Sequence, residues 1–318
     1  MAKHTTENKT DRILILYQRL CNGEVINKAE FAASFQVNVR SVQRDIDDLR
    51  AYFANQSAAS GICPAILYDR NKKGYYLDYG SQKMSGSELL AVCKILLESR
   101  ALTKSELNPI IQKLLYNCSP PADRKQVEEL IANEQFHYIE PHHHTEFVSN
   151  LWEIGAAVKD QKYLEIQYAK MGSSQPVKRK IKPVGIMFSE YYFYLIAYIA
   201  PKPEGQTKEY AYPAIYRIDR IRSYRVLEEH FKVPYADRFE EGEFRKRVQF
   251  MYGGKLQRIV FEYTGISVEA ILDRLPTAVV LEQKDGTYII RAEVFGDGID
   301  MWIRSQGEAL KVLSRKEI

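Results

Sequence analysis

The stretch NVRSVQRDIDDLR, residues 38–50, decides the fold of the first part of the chain. Its apolar residues recur at steps of three and four, the period of a helix with one buried face. They are Val39, Val42, Ile46, Leu49 and, just beyond the stretch, Phe53. The opposite face is polar and carries Arg40, Ser41, Gln43, Arg44 and Asp47. Since Asn38 can cap the first free N–H groups, we predict a helix beginning here.

Two shorter helices are predicted upstream of this one. The first has an apolar face that includes Ile13, Leu16 and Leu20, and it ends at Asn22-Gly23, residue types that tolerate the left-handed conformation of a helix stop. The second begins at Asn27, whose side chain can cap it. A short turn at Gln36-Val37 then leads into the third helix. The sequence therefore predicts three helices over residues 11–54.

A two-stranded wing is predicted next, from Ile66–Arg70 and Tyr75–Tyr79 joined by a turn with a basic tip. Three helices and a wing form a winged helix-turn-helix, whose last helix fits the major groove of DNA. For an isolated helix, such a polar face is more often simply solvated, but the neighbouring elements favour duplex binding. The predicted DNA contacts are Asn38, Arg40, Ser41, Gln43 and Arg44 on the helix and Arg70, Lys72 and Lys73 on the wing. We also expect Asp45 to orient Arg44.

These motifs match a known family. The sequence VRSVQRDIDDLR at 39–50, followed by KGYYL at 73–77, resembles the N-terminal domain of WYL-domain transcriptional regulators, bacterial proteins related to the DeoR-type helix-turn-helix group. The resemblance implies a DNA-binding domain over residues 1–80.

Length and composition predict a globular protein of two or three domains, with 318 residues, 45% of them hydrophobic and 27% charged. No apolar run reaches the length of a bilayer span, and the N-terminus lacks an apolar signal core, so we expect a cytoplasmic protein without a membrane partner. Its four cysteines are far apart, which predicts reduced thiols.

Residues 81–145 are predicted to form a helical connector. One apolar run follows Ser85 and a second follows Pro109, which we expect at the helix start. The connector ends in a loop with three consecutive histidines, 142–144. Because consecutive loop residues point in different directions, we predict a solvated tract and no metal site or other cofactor.

The second basic segment, residues 151–230, carries 13 basic and 9 acidic side chains. After a helix over 147–160, five runs alternate as strands do. They are 163–168, 177–183, 184–188, 192–198 and 214–221. Five short strands after a helix predict a small, strongly bent antiparallel sheet or barrel.

The motifs RKIKP at 179–183, FYLIAY at 193–198 and YRIDRI at 216–221 resemble a WYL domain, which has an Sm-like or SH3-like barrel fold. Phe193 stands where the family has tryptophan, and Ala214 where many members have a ligand-directed arginine. The resemblance implies a sensor domain over 146–232 that binds an anionic effector, a nucleotide or single-stranded nucleic acid. It implies Tyr168, Arg179, Tyr194, Arg217 and Arg220 as effector-binding residues. The alternative is that the two tyrosines are core residues and Arg220 pairs with a carboxylate.

The C-terminal segment, residues 245–318, has the predicted order strand, helix, strand, strand, helix, which indicates a small α+β unit. The strands are 256–263, 278–283 and 287–294, and the helices are 268–275 and 299–305. MWIRSQG at 301–307 resembles the extension that follows WYL domains, which implies a role in dimerisation.

Together these features predict an α+β multidomain protein that acts as a homodimeric, sequence-specific DNA-binding transcriptional regulator. Motifs for catalysis are absent from the sequence, with no Gly-rich phosphate loop and no nucleophile elbow, so we expect no enzyme and no catalytic residues. An RNA or single-stranded nucleic-acid-binding module is the alternative, although it does not explain the winged helix. A protein-interaction scaffold would leave both basic segments without a purpose.

Overall fold

The computed structural model describes residues 9–60, 64–78, 83–173, 175–201, 212–233 and 238–318. These residues form two compact units. The N-terminal unit comprises the described residues of 9–100 and 104–139, and the C-terminal unit comprises 101–103 and those of 140–318. Helices and antiparallel sheets occur in both, so the predicted mixed α+β class is confirmed.

The N-terminal unit begins with three helices and a two-stranded antiparallel sheet. Their bounds are α1 Lys9–Cys21, α2 Lys28–Ser34, α3 Val39–Ser60, β1 Ala65–Asp69 and β2 Gly74–Asp78. Asn27 caps α2 as predicted, since its side chain accepts from the N–H groups of Ala29 and Glu30. The predicted apolar face of α3 is buried at Val42, Ile46, Leu49 and Phe53, whereas Val39 at its first turn is exposed.

A backbone bridge ties the sheet to the helices. The N–H of Ile26, between α1 and α2, donates to the carbonyl of Tyr75 at 2.7 Å, and the N–H of Tyr75 donates back at 2.8 Å. Both strands lie one residue earlier than predicted, and Tyr79 of the predicted second strand lies outside the described residues. Gly74 is required at this position, because an added Cβ would lie 2.5 Å from the Val25 side chain.

Three further helices complete this unit: α4 Gly86–Ser99, α5 Lys104–Asn117 and α6 Pro121–Phe136. Ser85 and Glu88 form a capping box at the start of α4. Helix α5 begins five residues before Pro109, which lies inside it, so the prediction of Pro109 at the helix start was wrong. Pro109 is the sixth residue of α5, just beyond the first four N–H groups that have no acceptor in the helix, so it removes one hydrogen bond, to the Ser105 carbonyl.

The C-terminal unit opens with helix α7, Val148–Lys159, and a five-stranded antiparallel sheet of order β6-β5-β4-β3-β7. The strands are β3 Lys162–Tyr168, β4 Val177–Ser189, β5 Tyr192–Ile199, β6 Ala214–Arg217 and β7 Ile221–His230. A 3₁₀ helix, Ile218–Arg220, joins the last two. The two predicted strands at 177–188 are one strand, because the register shift between Pro183 and Gly185 interrupts pairing with β5 without ending it.

The same sheet departs from prediction in two other ways. Strand β7 was not predicted beyond Ile221, since most of its residues are exposed and its sequence lacks apolar alternation. The described strands form no closed ladder, because β6 and β7 are the two edges of the sheet. Of the two predicted forms, a bent antiparallel sheet or an Sm-like or SH3-like barrel, the antiparallel sheet is observed and the barrel is not confirmed.

A second sheet of four strands, order β11-β8-β10-β9, follows helix α8, Glu241–Arg247. Its elements are β8 Leu256–Tyr263, α9 Val268–Arg274, β9 Val279–Lys284, β10 Thr287–Phe295, α10 Gly298–Ser305 and β11 Leu310–Glu317. The sequence prediction has all of these except β11. Side chains of β8, β10, α9 and α10 share one core that includes Phe261 and Trp302. A smaller core joins α8 to the first sheet through Phe244, Met187 and Ile196. Among the described helices, none is both long and apolar enough to cross a membrane.

Candidate nucleic-acid interface and effector site

The outer face of α3 presents two arginines to solvent. Arg40 and Arg44 are exposed, and within the described part of the chain neither side chain has a hydrogen bond or ion pair. Asn38 is exposed and accepts from the N–H of Arg40 at 2.9 Å, which fixes the first turn. Ser41 is half-buried. Two free guanidinium groups on one helix face can donate to base edges or phosphates.

Asp45 does not orient Arg44. Its carboxylate is buried and accepts two hydrogen bonds from Arg12 of α1, at 2.6 Å from Nε and 3.1 Å from Nη2. The expectation was wrong because adjacent residues on a helix point about 100° apart, so Asp45 lies on the core side while Arg44 lies outside.

Gln43 is held by its neighbours. Its amide oxygen accepts from Lys28 Nζ at 2.7 Å and from the Tyr75 hydroxyl at 3.3 Å, and its amide nitrogen donates to Asp47 at 3.0 Å. Lysine only donates and an ionised carboxylate only accepts, so these partners determine which way the amide points. Both lone pairs of the amide oxygen face a donor, and one N–H has no partner among the residues that the structure describes.

The β1–β2 turn carries the predicted wing contacts. Arg70, Lys72 and Lys73 are all exposed. Asp69 accepts from the N–H groups of Asn71 and Lys72 at 2.8 and 3.1 Å, which stabilises the turn, and Lys73 has a positive φ of 50°. The three basic side chains therefore project from an ordered turn in the same unit as α3.

Three of the five predicted effector residues meet in the first sheet of the C-terminal unit. Tyr194 of β5 pairs with Arg217 of β6, and the Arg217 N–H donates to the Tyr168 hydroxyl at 3.3 Å. The Arg217 guanidinium donates twice to buried Asp219, at 3.1 and 2.7 Å, and lies 3.3 Å from the centre of the Tyr192 ring. We call these five residues the Arg217 cluster.

Burial and pairing shift two pKa values in the Arg217 cluster. Burial raises the pKa of Tyr194 to about 12, and the positive charge of Arg217 offsets part of that effect. Burial disfavours the charged form of Arg217, but the hydrogen bonds and charge of Asp219 outweigh it, so the pKa of Arg217 is raised. Both groups therefore hold their protons near neutral pH, Arg217 as a cation and Tyr194 as a neutral donor.

The other two predicted effector residues, Arg220 and Arg179, are not part of the Arg217 cluster. Arg220, in the 3₁₀ helix, has no side-chain partner in the described residues, unlike the alternative in which it pairs with a carboxylate. It is Arg217 that makes such a pair. Arg179 lines an open groove of about 440 Å³ across β4, β3 and β7. The other side chains of that groove are Glu165, Ile166, Gln167, Lys178, Lys180, Ser223, Tyr224 and Arg225.

Sequence reasoning missed Tyr192 and Asp219. Asp219 stands two residues after Arg217 in YRIDR, but it meets the guanidinium only because the chain turns into a 3₁₀ helix there.

The histidine tract was predicted to be solvated, and two of its three members are. His142 and His144 are exposed, whereas the centre of the His143 ring lies 6.2 Å from that of Tyr192 and 6.1 Å from that of Phe147. No cluster of potential metal ligands occurs among the described residues.

A comparison with protein families identifies the domain that contains the first sheet of the C-terminal unit. The family model described as the WYL domain matches residues 149–226. Residues 149–226 of the chain therefore form a WYL domain. This domain comprises α7 and the first sheet up to Val226, and all five predicted effector residues lie within it. Phe193, at the family's tryptophan position, packs against Phe147 and Phe188, so the site keeps its aromatic contacts without an indole donor.

Two solved structures resemble this WYL-domain protein. The proteasome accessory factor B/C (PafBC) of Arthrobacter aurescens matches at 15% identity and a TM-score of 0.30, over 96% of this chain and 44% of that one. A structure described as a CRISPR Cas-related protein matches at 16% identity and a TM-score of 0.36, over 96% of this chain and 87% of that one. The chain thus spans less than half the length of the first. Among curated proteins, none matches.

Proposed function

We propose that this WYL-domain protein is a DNA-binding transcriptional regulator whose helix α3 enters the major groove. The observation that carries the proposal is the outer face of α3, where Arg40 and Arg44 are exposed and have no partner in the described residues. The antiparallel β1–β2 pair and its bridge to Ile26 support a winged helix-turn-helix. Lys72 and Lys73, exposed in the turn of that pair, are proposed to contact phosphates. A homodimer would present two such helices to a palindromic operator. We propose no catalytic role.

The WYL domain is proposed to sense an anionic effector, either a nucleotide or single-stranded nucleic acid. The order of its five strands and the 3₁₀ helix before β7 support an Sm-like topology, although the described strands form an open sheet. Arg220 offers a guanidinium that has no side-chain partner among the described residues, and Tyr168 and Tyr194 offer aromatic surface. We propose that effector binding shifts the spacing of the two winged helices in a homodimer. Such a shift requires that the two spacings differ in their affinity for the effector.

Titration against duplex DNA tests the proposed function. The full chain is titrated with a labelled duplex from its own upstream region and with a shuffled duplex, at low and at physiological salt. We expect a preference for the native duplex that persists at physiological salt. Equal and steeply salt-dependent binding of both duplexes would contradict sequence-specific binding and favour the RNA or single-strand alternative.

Gln43 is expected to recognise acceptors only. Reading adenine through two hydrogen bonds needs a free amide oxygen, and in Gln43 that oxygen is occupied by Lys28 and Tyr75. In selection from randomised duplexes, wild type should therefore show no adenine preference that depends on Gln43. The variant Lys28→Met/Tyr75→Phe should gain one, of about 5-fold to 100-fold, and adding Gln43→Ala should remove it. A wild-type adenine preference that is lost in Gln43→Ala would contradict this account.

Arg220→Ala is expected to weaken binding of a mononucleotide or a short single strand to the WYL domain by about tenfold, because a charge-assisted contact is lost. Duplex affinity should not change. Fluorescence titration measures both, and Arg222→Ala, which removes an exposed arginine of the next strand, serves as control. Equal losses in the two variants would argue against a specific role for Arg220. Arg217→Ala is a poorer probe, since it leaves buried Asp219 without its partner.

A further inference from the structure

A small polar cleft in the C-terminal unit lies apart from the Arg217 cluster. It has a volume of about 200 Å³ and lies between the β4–β5 turn and the segment that runs from the end of α8 into Phe250. The end of α9 forms a further side. Its lining is Ser189, Glu190, Arg245, Lys246, Val248, Gln249, Phe250, Asp273, Arg274 and Pro276. Elements from both sheets of the unit therefore meet at this cleft.

The cleft contains one buried donor without a partner and one amide that makes no hydrogen bond to the described residues. Gln249 as a whole residue is 4% exposed, and its side-chain amide makes no hydrogen bond to any described residue. The Nε–H of Arg274 is buried and also has no hydrogen-bond partner. A buried donor without an acceptor is unfavourable, so the Arg274 Nε–H indicates that the cleft lacks an acceptor. The Gln249 amide lines the same cleft and can donate to that acceptor.

The guanidinium groups around the cleft are only weakly paired. Both Nη atoms of Arg274 lie 3.4 and 3.5 Å from the same Glu190 oxygen, well beyond the roughly 2.8 Å of a strong charge-assisted bond. Arg245 donates to the buried Ser189 hydroxyl at 3.4 Å. Glu190 and Asp273 balance part of the positive charge of the cleft, and Lys246 forms a hydrogen bond with Glu243. The cleft can therefore bind a ligand through oriented N–H donors rather than through a large net positive charge.

The turn that presents Gln249 is held in a costly conformation. Phe250 and Met251 both have positive φ, at 49° and 54°, which is uncommon for residues with bulky side chains. The Phe250 ring also lies 4.8 Å from the Arg274 guanidinium carbon and so closes one side of the cleft. Such backbone strain persists where the surroundings enforce it, often at ligand sites.

We propose that this cleft binds a phosphoryl group, as inorganic phosphate or as the phosphate of a larger ligand. Tetrahedral phosphate oxygens can accept at once from the Arg274 fork, Arg245 and the Gln249 amide, and guanidinium geometry suits phosphate. The bound group would join the β4–β5 turn of the WYL domain to α9 of the second sheet. This site does not depend on DNA binding and is separate from the effector residues named above.

The test is titration of the full chain with inorganic phosphate, at ionic strength held constant with chloride, followed by calorimetry and thermal unfolding. We expect one saturable site with a Kd in the millimolar range or below and a rise in Tm with phosphate concentration. Arg274→Gln and Gln249→Leu should each weaken binding by about tenfold. Arg304→Gln, which removes an exposed arginine of α10, is the matched control and should bind as wild type.

Absence of saturable phosphate binding to wild type would overturn the proposal. So would equal affinity in wild type, Arg274→Gln and Gln249→Leu, since binding would then arise at other basic residues. If Arg274→Gln does not fold, as judged by its near-ultraviolet circular dichroism, Gln249→Leu decides the outcome alone, because it keeps the charge of the cleft.

Discussion

Asp45→Ala is expected to lower the free energy of unfolding of the N-terminal unit by about 3–5 kcal/mol. Asp45 and Arg12 form an ion pair whose side chains are 1% and 9% exposed, with an Nε–Oδ2 distance of 2.6 Å. Removing the carboxylate leaves the Arg12 guanidinium buried without a counter-charge, and that penalty exceeds the modest net value of the pair itself. Denaturant unfolding gives the size of the loss, and hydrogen exchange of α1 and α3 locates it.

Two further variants separate burial from charge. Asp48→Ala removes an equal charge from the same helix, but its partner Lys9 is 61% exposed and Asp48 is 52% exposed, so the expected loss is below about 1 kcal/mol. Arg12→Met/Asp45→Leu replaces the pair by apolar side chains and should recover most of the stability lost in Asp45→Ala. A loss in Asp45→Ala no larger than that in Asp48→Ala would show that the pair is not buried in solution.

Arg40→Ala/Arg44→Ala is expected to lower affinity for the native duplex on the order of 10²–10⁴-fold, since each arginine contact contributes about 1–3 kcal/mol. The fold should be unaffected, because both side chains are exposed and have no partner in the described residues. Fluorescence anisotropy at physiological salt measures the loss, and circular dichroism checks the fold.

Lys113→Ala/Lys125→Ala is the charge-matched control for that experiment. It removes two positive charges from α5 and α6 of the same unit, where Lys113 is exposed and Lys125 is 86% exposed. We expect it to lower duplex affinity only slightly through the overall charge. A loss equal to that of the arginine variant would mean that net charge, rather than helix α3, governs binding.

The sequence by itself predicted the elements in which burial follows a regular local period. The apolar steps along α3 and the strict alternation in β8 each specify a buried face, so α3 was located and β8 was predicted at its observed bounds. Strand β11 was not predicted, because only Leu310 of its eight residues is buried. Its conformation depends on backbone pairing with β8, which the side-chain pattern does not encode.

Only the tertiary structure decided which charged side chains are paired within the protein and which can contact a ligand. Arg12 and Asp45 are 33 residues apart and meet inside the core, while Arg44, next to Asp45 in sequence, points to solvent. Arg217 and Arg220 look alike in the motif YRIDRI, yet one is bound to Asp219 and the other has no side-chain partner within the described residues. A charge acquires its role from the groups that folding places around it, and local periodicity carries no information about those groups.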